Sequence, residues 1–275
     1  MLEDLAHSYD HGGDPTELGR LSMQADVAWH LERQQLLRVG ISADSRVVDV
    51  GCGPGLLSRR IATLVPYGSV VGVDADDDLL DSARLGARVG GLDHVSFVKA
   101  WASEMPLPSA SADLAYARFL LQHVPDPSAV VSEMARVVAP GGRVMIVDTD
   151  DAGVVMHPEP EGLRELLDAS REGQARLGGD RHIGRKLSGL LTAAGLEGVE
   201  VRVVPFTADL VGPEAWTQIC LGFKTRLIHP DRLDAETVEQ TLADVHKCLQ
   251  TPGAFAQSLV YVAVGTVSED ETVRI

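Results

Sequence analysis

The chain is short of cysteine, has no basic run and has no long apolar stretch, and each shortage removes a class of protein. Its three cysteines, Cys52, Cys220 and Cys248, are too few and too scattered for a disulfide framework or a zinc site. They read as reduced thiols, so a cytoplasmic location is expected. Lys and Arg number 24 against 40 Asp and Glu, a net charge of −16. A nucleic-acid binder displays a basic patch, whereas an acidic surface keeps a protein soluble and repels polyanions such as tRNA. The longest apolar stretch, Leu259 to Val264, falls far short of the ~20 residues a membrane helix needs. The opening Met1-Leu2-Glu3-Asp4 is acidic, unlike the basic start of a signal peptide. There is no internal repeat and no low-complexity tract. With 275 residues, 45% of them hydrophobic, the chain suits one large α/β domain or one domain with an added cap.

What is present centres on Val47-Val48-Asp49-Val50-Gly51-Cys52-Gly53-Pro54-Gly55. An apolar run ends in an acid, glycine then recurs at alternate positions, and Leu56 to Ala62 reads as the first turns of a helix. This is a buried strand, a tight turn and a helix start. Glycine permits positive φ and lets a ligand approach the backbone, and such a turn after a first parallel strand is where α/β sheets hold nucleotide-like ligands. A dinucleotide fingerprint needs G-x-G-x-x-G, but the residue three after Gly53 is Leu56.

The rest of the chain alternates strands and helices. Apolar residues at helical spacing, Leu21, Ala25, Ala28, Trp29, Leu36 and Leu37, predict a helix over 21–39. Strands are expected at Arg46–Val50, Ser69–Asp74, Val95–Lys99, Ala112–Ala117, Arg143–Asp148, Val199–Val204 and Leu259–Val264, with helices between most of them. Residues 152–181 read as an insertion carrying one amphipathic helix. The expected fold is a doubly wound, seven-stranded, mostly parallel α/β sheet of Rossmann-like type, its seventh strand antiparallel at or near the edge. The expected division is an N-terminal helical lid at 1–40, a ligand-binding core at 41–206, a helical cap insertion at 207–252, and a last strand and tail at 253–275 that return to the core. Asp74 ends the second strand about twenty residues beyond the glycine loop, where an acid can accept hydrogen bonds from ribose hydroxyls. The acids after it, Asp76 to Asp78, suit a helix start.

Asp49-x-Gly51-x-Gly53-x-Gly55 resembles motif I of the class I S-adenosylmethionine (SAM) dependent methyltransferases, and Arg136-Val137-Val138-Ala139-Pro140-Gly141-Gly142-Arg143 with the strand after it resembles the family's fifth-strand motif. Arg118-x-x-Leu121-x-His123-x-x-Asp126-Pro127 is similar to its small-molecule, natural-product branch. The resemblance covers residues 20–205. It implies transfer of a methyl group from SAM to O, N or C of a small molecule, leaving S-adenosylhomocysteine (SAH). It implies that Asp49, Gly51 and Gly53 hold the methionine end of the cofactor, Asp74 and Ala75 the ribose, Trp101 and Ala102 the adenine, with Arg118 close by and Gln24 or Arg20 reaching the carboxylate. Where the family carries an acid for the adenine amino group, this chain has Trp101, which either stacks on the ring or plugs the core. Catalytic candidates are His123, Tyr9 and His182, with His11 beside them; His123 is either a general base or a pocket-shaping residue. Asp148, Asp150 and Asp151 cluster after the fifth strand, but Tyr116-Ala117-Arg118 supplies no further acid from the fourth, so no metal is expected. The partners expected are a small molecule and neither nucleic acid nor membrane, with a second copy of the chain left open.

Rival readings are a nicotinamide oxidoreductase and a non-catalytic SAM-binding protein. The first lacks its glycine pattern, and no tyrosine has lysine four residues on. An amino-group methyltransferase of nucleic acid would carry Asn/Asp-Pro-Pro-Tyr after strand four, where this chain has Tyr116-Ala117-Arg118-Phe119. The second rival stays open.

Overall fold

Apolar residues alternate across the central strands with a period of two, and both sets are buried. The computed structural model describes residues 15–269. On β1 (Arg46–Val50), Val48 and Val50 join one core while Val47 joins another. On β4 (Ala112–Arg118), Ala115 and Ala117 face the first core, and Leu114 and Tyr116 the second. A sheet covered on both faces leaves no polar side, which is why these strands read as unbroken apolar runs.

Seven strands form one sheet in the order β3-β2-β1-β4-β5-β7-β6. The remaining strands are β2 (Ser69–Asp74), β3 (Val95–Lys99), β5 (Val138–His157), β6 (Glu197–Thr207) and β7 (Phe255–Thr266). The first five are parallel, and β7 runs antiparallel between β5 and the edge strand β6. The expected fold class is therefore the observed one. Helices α4 (Pro127–Val137) and α6 (Leu187–Ala193) cover one face, and α1 (Pro15–Arg38) and α2 (Leu56–Ala62) the other. The chain reverses direction across the sheet between β1 and β4, which opens a crevice beyond their carboxyl ends.

Helix starts follow local chemistry. Asp76 caps α3 (Asp77–Val89), its carboxylate accepting from the N–H groups of Asp78 and Leu79 at 2.9 and 3.0 Å. Asp126 does the same for α4, with Pro127 in the first turn.

One expected boundary is corrected. The fifth strand does not stop at Asp148, and residues 152–157 are not the start of a helical insertion. The chain shifts register after Asp150, and Val155 to His157 then pair with Gln257 to Phe255 of β7. That extension needs a distant partner strand, so residue spacing does not announce it. Val154 and Met156 then share a third core with α5 (Leu163–Arg176), Trp216 of α8 (Pro213–Thr217), a π-helical turn at Gln218–Gly222, and Val245 of α10 (Ala235–Leu249). The short helices α7 (Ala208–Val211) and α9 (Phe223–Arg226) complete this layer. It lies over the crevice on the side away from β3.

Candidate functional site

The turn after β1 is built by conformations that side chains resist. Gly51, Gly53 and Gly55 have φ of +71°, +51° and +67°. At Gly55 a Cβ would lie 2.8 Å from the Ala83 Cβ and 2.9 Å from the Phe97 ring, so this glycine is required by packing. At Gly53 a Cβ would meet nothing within 4 Å. Bare backbone there faces open space in a cavity that Gly53 helps to line.

That cavity has a volume of about 510 Å³, within the ~300–1,000 Å³ typical of small-molecule sites. One end is formed by the glycine loop, Asp74 and Ala75 after β2, and Ala100 to Ser103 after β3. Arg118, at the end of β4, and Phe119, Leu120 and Gln122 to Asp126 beyond it also line the cavity. Helix α1 covers it with Arg20, Gln24 and Glu32, and the far end is closed by Phe206, Ile219, Phe223 and Val260.

Two acids face the glycine-loop end. Asp49 is 2% exposed, and its Oδ2 accepts from the Ser58 hydroxyl of α2 at 2.6 Å. Burial pushes its carboxyl up to about 7, against the pull of that hydrogen bond. Asp74 accepts the Gly53 N–H at 2.7 Å and the Asp76 N–H at 3.1 Å, which ties the end of β2 to the glycine turn. Burial raises its carboxyl too, although these backbone donors favour the charged form. Trp101 lines the cavity yet is 53% exposed, so its indole sits at the rim and does not plug the core. Ala102 lies beside it.

Arg118 turns from β4 toward α1. Its guanidinium pairs with Glu32, stacks over Phe119 at 4.5 Å, and reaches the Gln24 carbonyl at 3.4 Å. Phe119 holds φ of +50°, an uncommon value for an aromatic residue and one that sets the chain leaving β4 into the cavity wall. His123 also lines the cavity; its backbone N–H donates to the Leu120 carbonyl, and its ring meets Phe223 edge-on at 5.1 Å.

The other candidates are placed differently. His182 is not among the lining residues. Its backbone N–H donates to Asp180 at 2.8 Å, and it leads into a 3-10 turn at Ile183–Lys186, which sets it outside the cavity wall. Tyr9 and His11 lie outside the described residues. The three acids Asp148, Asp150 and Asp151, within β5, serve separate partners. Asp148 accepts the N–H groups of Gln122 and Thr149, Asp150 pairs with Arg185, and Asp151 pairs with Arg181 and Lys224. Burial raises the Asp148 carboxyl to about 7, while for Asp151 the two cations outweigh burial and hold it below the usual range. Among the described residues no group of His, Cys, Asp and Glu is arranged to hold a metal.

Sequence reasoning misses Ser58, Glu32, Gln122, Arg181 and Lys224. Each matters through a partner in another element. Glu32 and Arg118 are 86 residues apart, and the one local sign is that Glu32 falls on the apolar spacing of its helix, between Ala28 and Leu36.

A family model described as a methyltransferase domain matches residues 48–146. The span runs from the glycine strand through the first half of β5 and holds most of the cavity's glycine-loop end. Over that span the chain is similar to a methyltransferase domain. It is 31% identical over 155 residues to the demethylmenaquinone methyltransferase of Listeria welshimeri, an overlap of 56% of this chain and 63% of that protein. It is 36% identical over 149 residues to methyltransferase GfsG of Streptomyces halstedii, covering 54% of this chain and 52% of the relative. Each match thus spans less than two thirds of the relative's length. Among solved structures, Haemonchus contortus phosphoethanolamine N-methyltransferase 2 in complex with S-adenosyl-L-methionine aligns over 96% of this chain and 59% of its own, with a TM-score of 0.61 and 16% identity. The 4+2 cyclase SpnF aligns over 88% of this chain and 82% of its own, with a TM-score of 0.58 and 20% identity. At these identities the likeness to solved structures is one of fold. No helix among the described residues is long and apolar enough to cross a membrane.

Proposed function

We propose that the protein transfers the methyl group of SAM to a small-molecule acceptor enclosed between the glycine turn and the helices of residues 208–249. The observation that carries this is the continuity of the cavity. Open backbone at Gly53 and the acids Asp49 and Asp74 mark one end, and a mostly apolar compartment lies at the other. The donor fits the first end: a cradle without side chains, a carboxylate for its amino group, and a second carboxylate for its ribose hydroxyls.

When bound, SAM supplies a methyl group already activated on sulfonium. The protein's own task is then alignment and exclusion of water, which can account for most of the rate. Asp49, Gly51 and Gly53 hold the methionine end, Asp74 and Ala75 the ribose, and Trp101 and Ala102 the adenine. Arg118 with Gln24 fixes α1 across the cofactor. His123, in the wall between the two ends, takes a proton when the acceptor atom must lose one.

The test is incubation of the purified protein with methyl-labelled SAM and a panel of small phenols, acids and amines. The expected result is label in an organic product with an equal amount of SAH. SAH titration by calorimetry reads donor binding separately. Tight binding with no SAH formed from any acceptor would replace methyl transfer with a non-catalytic role, and absence of binding would remove the donor site.

A further inference from the structure

At the acceptor end, three chain segments bring charge together in an apolar setting. Arg181 precedes the 3-10 turn, Lys224 lies in α9, and Asp151 lies in β5. Arg181 and Lys224 are 5% and 3% exposed, and both line the cavity. They share one carboxylate. Arg181 makes a bidentate pair with Asp151, with both N···O distances 3.0 Å, and Lys224 Nζ lies 3.2 Å from Oδ1 of the same residue.

The neighbouring groups do not balance the second cation. Gln122 is neutral and accepts from Arg181. Burial drives the Cys220 thiol up to about 12, so it carries no charge. Asp148 feels Arg181, but its carboxyl accepts the N–H groups of Gln122 and Thr149, and burial raises it to about 7. Asp150 is committed to Arg185. Burial pulls the Lys224 ammonium below the usual lysine range, against the pull of Asp151, because an excess of buried positive charge is costly unless a counter-charge arrives. Donors also remain. Lys224 spends two of its three N–H groups, on the Cys220 carbonyl and Asp151, and Arg181 spends three of five, among the described residues. A purely structural ion pair needs one cation for one acid. The cavity that the two cations line also presents the apolar side chains of Phe206, Ile219, Phe223 and Val260.

We infer that Arg181 and Lys224 form a subsite for a carboxylate carried by an otherwise apolar acceptor molecule. This rests on the methyl-transfer reading for the word acceptor, but not for the binding itself. It would place a local anion site inside a chain whose net charge is −16: the bulk surface repels anions, and the enclosed cationic pair would select those with an apolar body. The subsite positions the acceptor, leaving the atom that receives the methyl group elsewhere on the molecule.

The experiment is calorimetry on the full chain, alone and saturated with SAH, with benzoate and octanoate as probes and benzamide and octanamide as their uncharged counterparts. The acids are expected to bind about tenfold or more tightly than the amides, as charge-assisted hydrogen bonds in a dry site require. Lys224→Met should abolish that preference, Lys224→Arg should restore part of it, and Arg185→Gln, whose guanidinium pairs with Asp150 outside the cavity lining, should leave it intact. Equal binding of acids and amides, or no binding of either acid, overturns the inference. So does an undiminished preference in Lys224→Met. Should Lys224→Met fail to fold, the comparison of acid with amide on the unaltered chain decides alone. Failure of SAH to bind, with the acid preference intact, would count against the donor site and not against this one.

Discussion

Replacing Gly53 and Gly55 separately by alanine should divide ligand binding from folding. Both residues have left-handed φ, +51° and +67°, so each alanine costs about 1–2 kcal/mol of backbone strain. There the two sites part. At Gly55 the new methyl would sit 2.8 Å from Ala83 and 2.9 Å from the Phe97 ring, contacts that real Cβ atoms do not make. Overpacking of this kind adds about 1–3 kcal/mol, for a total of about 2–5 kcal/mol. In a chain of 275 residues, each kcal/mol lowers Tm by about 2–4 °C, so Gly55→Ala should lose about 4–20 °C. At Gly53 the methyl has open space within 4 Å, and Tm should fall by only a few degrees. Gly53 lines the cavity, however, where the donor's methionine end is placed. SAH affinity should therefore drop by about tenfold or more in Gly53→Ala, since ~1.4 kcal/mol lost to a steric overlap is enough. Differential scanning calorimetry and SAH titration read the two effects. Full SAH affinity in a folded Gly53→Ala protein would refute the placement of the donor against this backbone.

Other outcomes follow from the same geometry. Asp74→Ala removes the carboxylate that holds the Gly53 N–H, and SAH affinity should fall at least about tenfold through loss of charge-assisted bonds worth ~1.5–3 kcal/mol; unchanged affinity by calorimetry would reject the assignment. Glu32→Ala strands the buried Arg118 guanidinium and should destabilise by about 3–5 kcal/mol in urea unfolding, whereas Glu32→Met with Arg118→Met should recover much of the loss. His123→Ala should slow methyl transfer while SAH binding stays the same; equal rates would remove His123 from the chemistry. Asp49 and Asp148, with carboxyls near 7 in the fold against about 3.9 unfolded, keep protons that the unfolded chain gives up. Their contribution is full below about pH 4 and is lost as pH rises through 7, so Tm should fall from pH 5 to 8, and Asp148→Asn should flatten the slope. A Tm that rises across that window would contradict the protonated carboxyls.

Much of the cavity's glycine-loop end is legible in the residues alone. The positions of Asp49, Gly53 and Asp74 depend on backbone needs within one strand-turn-helix unit and on the end of the next strand, and such needs leave marks in residue spacing. Trp101 is legible as a departure from a pattern, but not as a rim residue, because exposure depends on what the rest of the chain leaves uncovered. His182, a histidine near the right place in sequence, is not among the residues that line the cavity, and its backbone N–H is held by Asp180.

By itself, the sequence determined a parallel α/β sheet and the glycine turn at its first strand, since apolar alternation and positive φ are properties of neighbouring residues. Tertiary structure alone decided that β5 runs on to His157, that Glu32 meets Arg118, and that Arg181 and Lys224 converge on Asp151. Those contacts join residues from 30 to about 100 positions apart, and their existence depends on the order of strands in the sheet, which no local period encodes.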